Sequence, residues 1–189
     1  DAIDQADVLI FTSPVYVYHV TGSMKALLDH YGYRWMVHRP EVSMFRKQAV
    51  CITTAAGAGM RSACKDLLHS FFFWGVGKRY SYGVAVAAVN WDGVKPKKKA
   101  AIAKRVQKLQ QKIKRYARKG KPSLKTKLFF SMMRMVQQHG WNPADVTYWK
   151  EQGWLGKKRP WKEEGNQKYD YKETNPCRFG SMETDLDTI

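Results

Sequence analysis

Ala6-Asp7-Val8-Leu9-Ile10-Phe11-Thr12-Ser13-Pro14-Val15-Tyr16, leading on through Thr21-Gly22-Ser23-Met24-Lys25-Ala26-Leu27-Leu28-Asp29, decides the fold class. Val8 to Phe11 is an unbroken apolar run of the kind found in strands buried on both faces of a parallel sheet, and Ser13-Pro14 stops it before helical spacing begins. The strand delivers a loop to the carboxyl edge of the sheet. Open α/β sheets bind ligands outside that edge, so the Tyr- and Val-rich loop from Ser13 to Gly22 is the first candidate site.

Working outward, Gly22 to about Val37 reads as a helix with Met24, Leu27, Leu28 and Tyr31 on one face. Gln48 to Thr53 is the next strand. Met60 to about Trp74 is the next helix, with Ala63, Leu67, Leu68 and Phe71 inward and Gly75 and Gly77 ending it. Tyr80 to Ala88 is a third strand, followed by a turn at Asn90-Trp91-Asp92-Gly93. A β-α-β-α-β string of this kind is a right-handed parallel arrangement by default.

From Pro96 to about Lys119, Ile102, Val106, Leu109, Ile113 and Tyr116 form an apolar stripe on a lysine-rich helix, which reads as a sheet-covering helix. Gly120-Lys121-Pro122 breaks the chain. A second helical pattern follows on Leu124, Leu128, Phe129, Met132 and Val136, closed by Gly140. Asn142-Pro143 caps a short helix through Trp149 to Gly153. The spacing thus divides the chain into an α/β part over 1–120, a helical extension over 121–162 and an irregular tail over 163–189.

Composition narrows the class. A chain of 189 residues that is 44% hydrophobic can bury one ordinary core. No apolar run approaches the roughly 20 residues of a membrane span and no secretory leader pattern is present, which reads as a cytoplasmic protein. Cys51, Cys64 and Cys177 lack metal-ligand or disulfide-framework spacing and read as reduced thiols, so no metal site is expected. The net charge of +17 is lopsided, with about 20 basic residues between Lys95 and Lys162 against Asp145 and Glu151. A basic helix can bind nucleic acid or an anionic surface, but the apolar stripe is accounted for by covering the sheet, and without a recognisable RNA- or DNA-binding motif nucleic acid is not expected as a partner. His19, His30 and His38 have no carboxylate nearby in sequence and are read as surface residues. Trp141, Trp149, Trp154 and Trp161 are read as packing residues.

Ser13-Pro14-Val15-Tyr16, Gly22 and Met24 to Asp29 resemble the third strand, flavin loop and following helix of flavodoxin-like NAD(P)H-dependent FMN reductases. Ala49 to Gly59, AVCITTAAGAG, is similar to that family's fourth strand and its small-residue loop. Together the two segments cover roughly the first half of the chain. The resemblance implies an α/β, flavodoxin-like parallel sheet, truncated to strands 3–5, with helices on both faces and a carboxyl-terminal helical extension. It also implies FMN as cofactor and NAD(P)H as electron donor. Hydride would pass from the nicotinamide to the flavin, and electrons then to a quinone or another small-molecule acceptor.

The flavin-binding residues implied are Ser13, Pro14, Val15, Tyr16 and Tyr18 on one side. On the other they are Thr54, Ala55, Ala56, Gly57, Ala58 and Gly59, whose small side chains let N–H groups approach the ring. No catalytic side chain is implied, because the cofactor carries the chemistry. A homodimer is the implied assembly. Strands 1 and 2 and the phosphate-cradling loop of such a fold have no counterpart here, so the resemblance implies a longer flavoprotein in which this piece would hold FMN less tightly than the whole. Two other readings stay open. One is an electron carrier without a nicotinamide site; the other is a basic interaction module that kept the fold and lost the cofactor.

Overall fold

A computed structural model describes residues 2–117 and 121–162. A short helix α1 (Ala2–Gln5) leads into β1 (Val8–Pro14), α2 (Gly22–His30), β2 (Gln48–Ala55), α3 (Met60–Phe73) and β3 (Lys78–Ala85). The strands form one parallel sheet in the order β1-β2-β3, with Leu9 opposite Ala49 opposite Arg79. This is the parallel α/β sheet that the resemblance implies. Three further helices follow, α4 (Pro96–Ala117), α5 (Leu124–Gln138) and α6 (Pro143–Glu151).

One face of the sheet carries the main core. Leu9 and Phe11 of β1 and Ala49 and Cys51 of β2 pack against Leu28 of α2 and Ala63, Cys64, Leu67 and Phe71 of α3. The Phe11 ring meets Phe71 edge-on at 5.1 Å, and Trp74 closes the base of this core, its indole N–H donating to Tyr31 O at 3.1 Å. Two separate thiols meet here as well: Cys51 and Cys64 are both free and buried, and Cys64 Sγ lies 3.2 Å from Thr53 Oγ1. Cys177 and the tail 163–189 lie outside the described residues.

The opposite face corrects two sequence expectations. β1 is not buried on both faces: Leu9, Phe11 and Ser13 point inward, whereas Ile10 is 60% exposed and Thr12 and Pro14 are exposed too. β1 is an edge strand among the described residues, pairing with β2 alone. An edge strand with a helix layer on one side shows period-two burial however apolar its sequence. Nor does α4 seal this face, since it buries no residue fully and leaves Val106 exposed. Its closest polar ties are from Gln48 Nε2 to Ile113 O at 3.2 Å and from Tyr80 Oη to Lys112 O at 3.3 Å. A face presenting Gln48, Tyr80 and Tyr82 offers less aliphatic surface to dock against than the face presenting Leu9, Phe11 and Cys51.

α2 is shorter than its spacing predicts. Thr21 caps it, with Oγ1 accepting from Met24 N at 3.2 Å, and after His30 the chain tightens into a 3₁₀ turn (Tyr31–Arg34). α5 also differs from expectation, because Leu124, Leu128 and Met132 face solvent while Thr126, Phe130, Met133 and Gln137 are buried. The buried face lies round the helix from the most apolar stripe. What draws it inward is a second core built from Met36, Phe45, Phe130, Met133, Trp149 and Trp154.

That second core makes the extension integral to the α/β part. Met36 and Phe45 come from the segment between α2 and β2, and they pack with residues of α5, α6 and the turn beyond. Polar ties reinforce the docking: Gln137 Nε2 donates to Val37 O at 2.5 Å, Trp149 Nε1 to His38 O at 2.6 Å and Tyr148 Oη to Pro40 O at 2.8 Å. Asp145, buried on α6, accepts from His38 Nδ1 at 2.9 Å and pairs with Arg39 Nε at 3.5 Å. Gly75 serves the same junction, since at φ +86° it brings the backbone so near Phe45 that a Cβ would stand 2.8 Å from the ring.

The amino-terminal helix is fastened electrostatically. Arg34 forks onto Asp4, with one arm at 3.0 Å, and Lys47 Nζ donates to the carbonyls of Asp4 and Ala6 at 2.7 and 2.6 Å. The Arg34 hydrogen bond holds the Asp4 carboxyl below its ordinary value of 3.8. A carboxyl whose folded value is depressed contributes stability that is present above the unfolded value and lost as pH falls through the folded one. Asp4→Asn is therefore expected to lower the urea midpoint at neutral pH and to flatten its fall below about pH 4. An acid limb as steep in the variant as in the parent chain would refute this.

Candidate active site at the carboxyl edge of the sheet

β1 and β2 end side by side, and the loops that follow them meet. Val15 N donates to Thr54 O at 2.8 Å, which carries the sheet pairing one step past the strand. Ser13, expected to face a ligand, is buried instead, and its hydroxyl accepts from Thr21 N at 3.2 Å. It ties the two ends of the first loop together. Pro14, Tyr16 and Tyr18 are exposed and Val15 is half-buried.

The tip of the first loop is a tight two-residue turn. Tyr16 and His19 exchange both backbone hydrogen bonds, each 3.0 Å long, while Val17 and Tyr18 have φ of +49° and +67°. Positive φ at both central positions is the I′ geometry that glycine and asparagine normally supply, and a β-branched valine there is a genuine outlier. Val17 is also 92% exposed, so its own burial does not offset the strain. The clamp comes from α3: Asp66 Oδ2 accepts from His19 Nδ1 at 3.0 Å and from Val20 N at 3.4 Å. His19 thus has a carboxylate partner, 47 residues away in sequence, and it positions the loop.

The second loop supplies small residues and free donors. Thr54, Ala56, Gly57 and Ala58 are exposed, and Ala55 and Gly59 half-buried. Ala55 O accepts from Val86 N at 2.8 Å, tying in the end of β3. Among the described residues, the N–H groups of Ala56, Gly57 and Ala58 have no protein partner. α3 begins immediately afterwards at Met60 with no side-chain cap, adding the unpaired donors and positive dipole end of a helix amino terminus.

Gly59 is where the two loops touch. Its φ is +93°, and a Cβ would fall 2.5 Å from Val15 Cγ1 and 3.2 Å from the Tyr18 Cα. Only glycine permits that approach. Below it, Thr53 Oγ1 donates to Met60 O at 3.1 Å and fixes the start of α3 under the loop.

The site residues read from the sequence therefore lie at the ends of β1 and β2 and on the loops that follow them, with Ser13 turned inward. Asp66 was not legible, since nothing local marks it as the anchor of a loop that precedes it by 46 residues. Lys25, by contrast, pairs with Asp29 one turn along α2 and stands on a solvated helix face. Among the described residues no group of three or more His, Cys, Asp or Glu could hold a metal, and no helix is long and apolar enough to cross a membrane.

Residues 1–90, which contain all three strands and both loops, match the model of the NADPH-dependent FMN reductase family. The match ends at Asn90, so α4, α5 and α6 lie beyond it. Among solved structures, the chain is similar to general stress protein 14 of Treponema denticola, determined in complex with FMN. The identity is 12% and the TM-score 0.37, over 70% of this chain and 69% of that one. No curated protein sequence matches the chain.

Proposed function

We propose that the chain is an FMN-dependent oxidoreductase that takes electrons from NAD(P)H and delivers them to a quinone or another small-molecule acceptor. The observation that carries this reading is the strained Val17-Tyr18 turn, locked against Gly59, at the rim of a segment that matches the FMN reductase family model. Backbone strain that the surroundings hold in place collects at ligand sites.

The residues present fit a planar, redox-active ring. Tyr16 and Tyr18 offer exposed aromatic faces on one side. Ala56, Gly57 and Ala58 offer backbone N–H groups on the other, and small side chains leave those donors accessible. Bound FMN would supply the hydride and electron chemistry itself. This chain's part is to orient the ring, shield one face and place fixed N–H dipoles where negative charge accumulates on reduction. Asp66 and Ser13 hold the first loop in register, acting through the backbone rather than on the ring.

Anaerobic mixing of the chain with FMN and NADPH tests the reading. Saturable quenching of FMN fluorescence, followed by bleaching of the flavin absorbance by NADPH, is the expected result. Bleaching that requires a separate reductase would instead identify an electron carrier, and absence of quenching by the folded chain would overturn the flavin site.

A further inference from the structure

A second site lies at the opposite edge of the sheet, independent of the flavin reading. Between the start of β3 and the side of α4 runs a cleft of about 540 Å³, into which Lys78, Arg105, Lys108, Lys112 and Arg115 project. No carboxylate lines it, and among the described residues none of these five cations has an acidic partner. Its floor carries Tyr80 and Tyr82. Tyr80 is held in place by hydrogen bonds to Gln48 Oε1 and Lys112 O, at 3.0 and 3.3 Å. Burial pushes the Tyr82 phenol above its ordinary range, and the nearby Arg105 guanidinium offsets only part of that.

α4 contains nine Lys or Arg and no Asp or Glu in 22 residues. Like charges one turn apart, such as Lys104, Lys108 and Lys112, destabilise a helix, so this arrangement is unfavourable unless an anion is bound. Solubility alone would be served by charges spread over the surface rather than gathered around a concavity. The flavin loops leave the carboxyl ends of β1 and β2, whereas Lys78 to Tyr82 open β3, so these cations do not serve the cofactor site.

From this juxtaposition we propose that the β3–α4 cleft binds the sugar-phosphate backbone of a single-stranded nucleic acid, with Tyr80 and Tyr82 available to stack bases. A basic groove with aromatic residues on its floor is the combination that single strands use. The volume is in the range of a small-ligand pocket, enough for part of a single strand. A flat anionic bilayer reaches the rim of such a concavity and not its walls. The apolar residues that would have to enter a bilayer, Leu109 and Ile113, are instead half-buried against the sheet.

The test is fluorescence anisotropy of a labelled oligothymidylate of about 12 nucleotides with the full 189-residue chain, across a salt series. Four or five phosphate contacts predict a slope of log affinity against log salt near about −3. The double variant Lys108→Glu, Lys112→Glu is expected to weaken binding by about tenfold or more, and Lys108→Gln, Lys112→Gln by about half that factor on a logarithmic scale. Lys150→Glu, Lys157→Glu makes the same charge change on exposed residues outside the cleft and is expected to alter affinity by less than about twofold. Melting temperatures of all three variants guard against misfolding, and the glutamine pair keeps the test valid if the glutamate pair unfolds.

Equal losses in the cleft and control variants would overturn the proposal in favour of a general electrostatic field. Binding to phosphatidylserine vesicles without binding to the oligonucleotide would overturn it in favour of a membrane surface. Oligonucleotide affinity indifferent to the cleft lysines would also overturn it. In that case the chain's own sequence 163–189, with seven carboxylates, becomes the occupant to examine.

Discussion

Phe130→Ala is expected to produce the largest loss of stability of any single substitution in the extension, about 3–5 kcal/mol. Phe130 is fully buried and meets four aromatic rings. It stacks on Trp149 at 4.8 Å and lies edge-on to Phe45, Trp154 and Trp161 at 5.5, 5.5 and 5.2 Å. Rings of this size cannot collapse onto a methyl group, so the truncation leaves a cavity as well as losing burial. The melting temperature should fall by about 10 °C or more. Because Phe45 comes from the segment just before β2, the loss should appear in both halves together, as one cooperative transition. A biphasic melt in which the sheet keeps the parent melting temperature would refute the shared core.

Gly59→Val is expected to have the largest effect on the candidate site. A side chain at φ +93° costs about 1–2 kcal/mol in backbone strain alone. The added Cβ would also stand 2.5 Å from Val15 Cγ1, a short, stiff, β-branched neighbour that cannot swing aside. The collision can be relieved only by separating the two loops, which breaks the pairing of Val15 N with Thr54 O. Flavin quenching should therefore weaken by about tenfold or more, since a site opened by an ångström loses the geometry on which binding depends. Gly140→Ala is the fitting control, because φ is also positive there but nothing lies within 4 Å of a Cβ. If both variants bind flavin like the parent chain, the meeting of the loops at Gly59 does not shape the site.

The three strands, the two loops and the cap at Asn142 were legible because each depends on residues close together in sequence. Val8 to Phe11, Gln48 to Thr53 and Met60 to Trp74 each announce their element by period and punctuation. The carboxyl-edge loops then follow from where the strands stop. Burial was not legible to the same degree. Ile10 reads as a core residue, yet it is exposed, because on that face α4 docks on Gln48 of β2 and Tyr80 of β3 and leaves the β1 edge uncovered. Leu124, Leu128 and Met132 form the better apolar stripe of α5, yet the helix turns Phe130 and Gln137 inward, because Phe45 and the carbonyl of Val37 wait on that side.

The sequence by itself determined the class of fold, the order of its elements and the loops that carry the candidate site, since local spacing and turn chemistry set all three. Only the tertiary structure decided which faces are buried, that Asp66 anchors the first loop, and that β3 and α4 enclose a cleft without a carboxylate. Those outcomes depend on distances between residues far apart along the chain, and neither periodicity nor composition contains a distance.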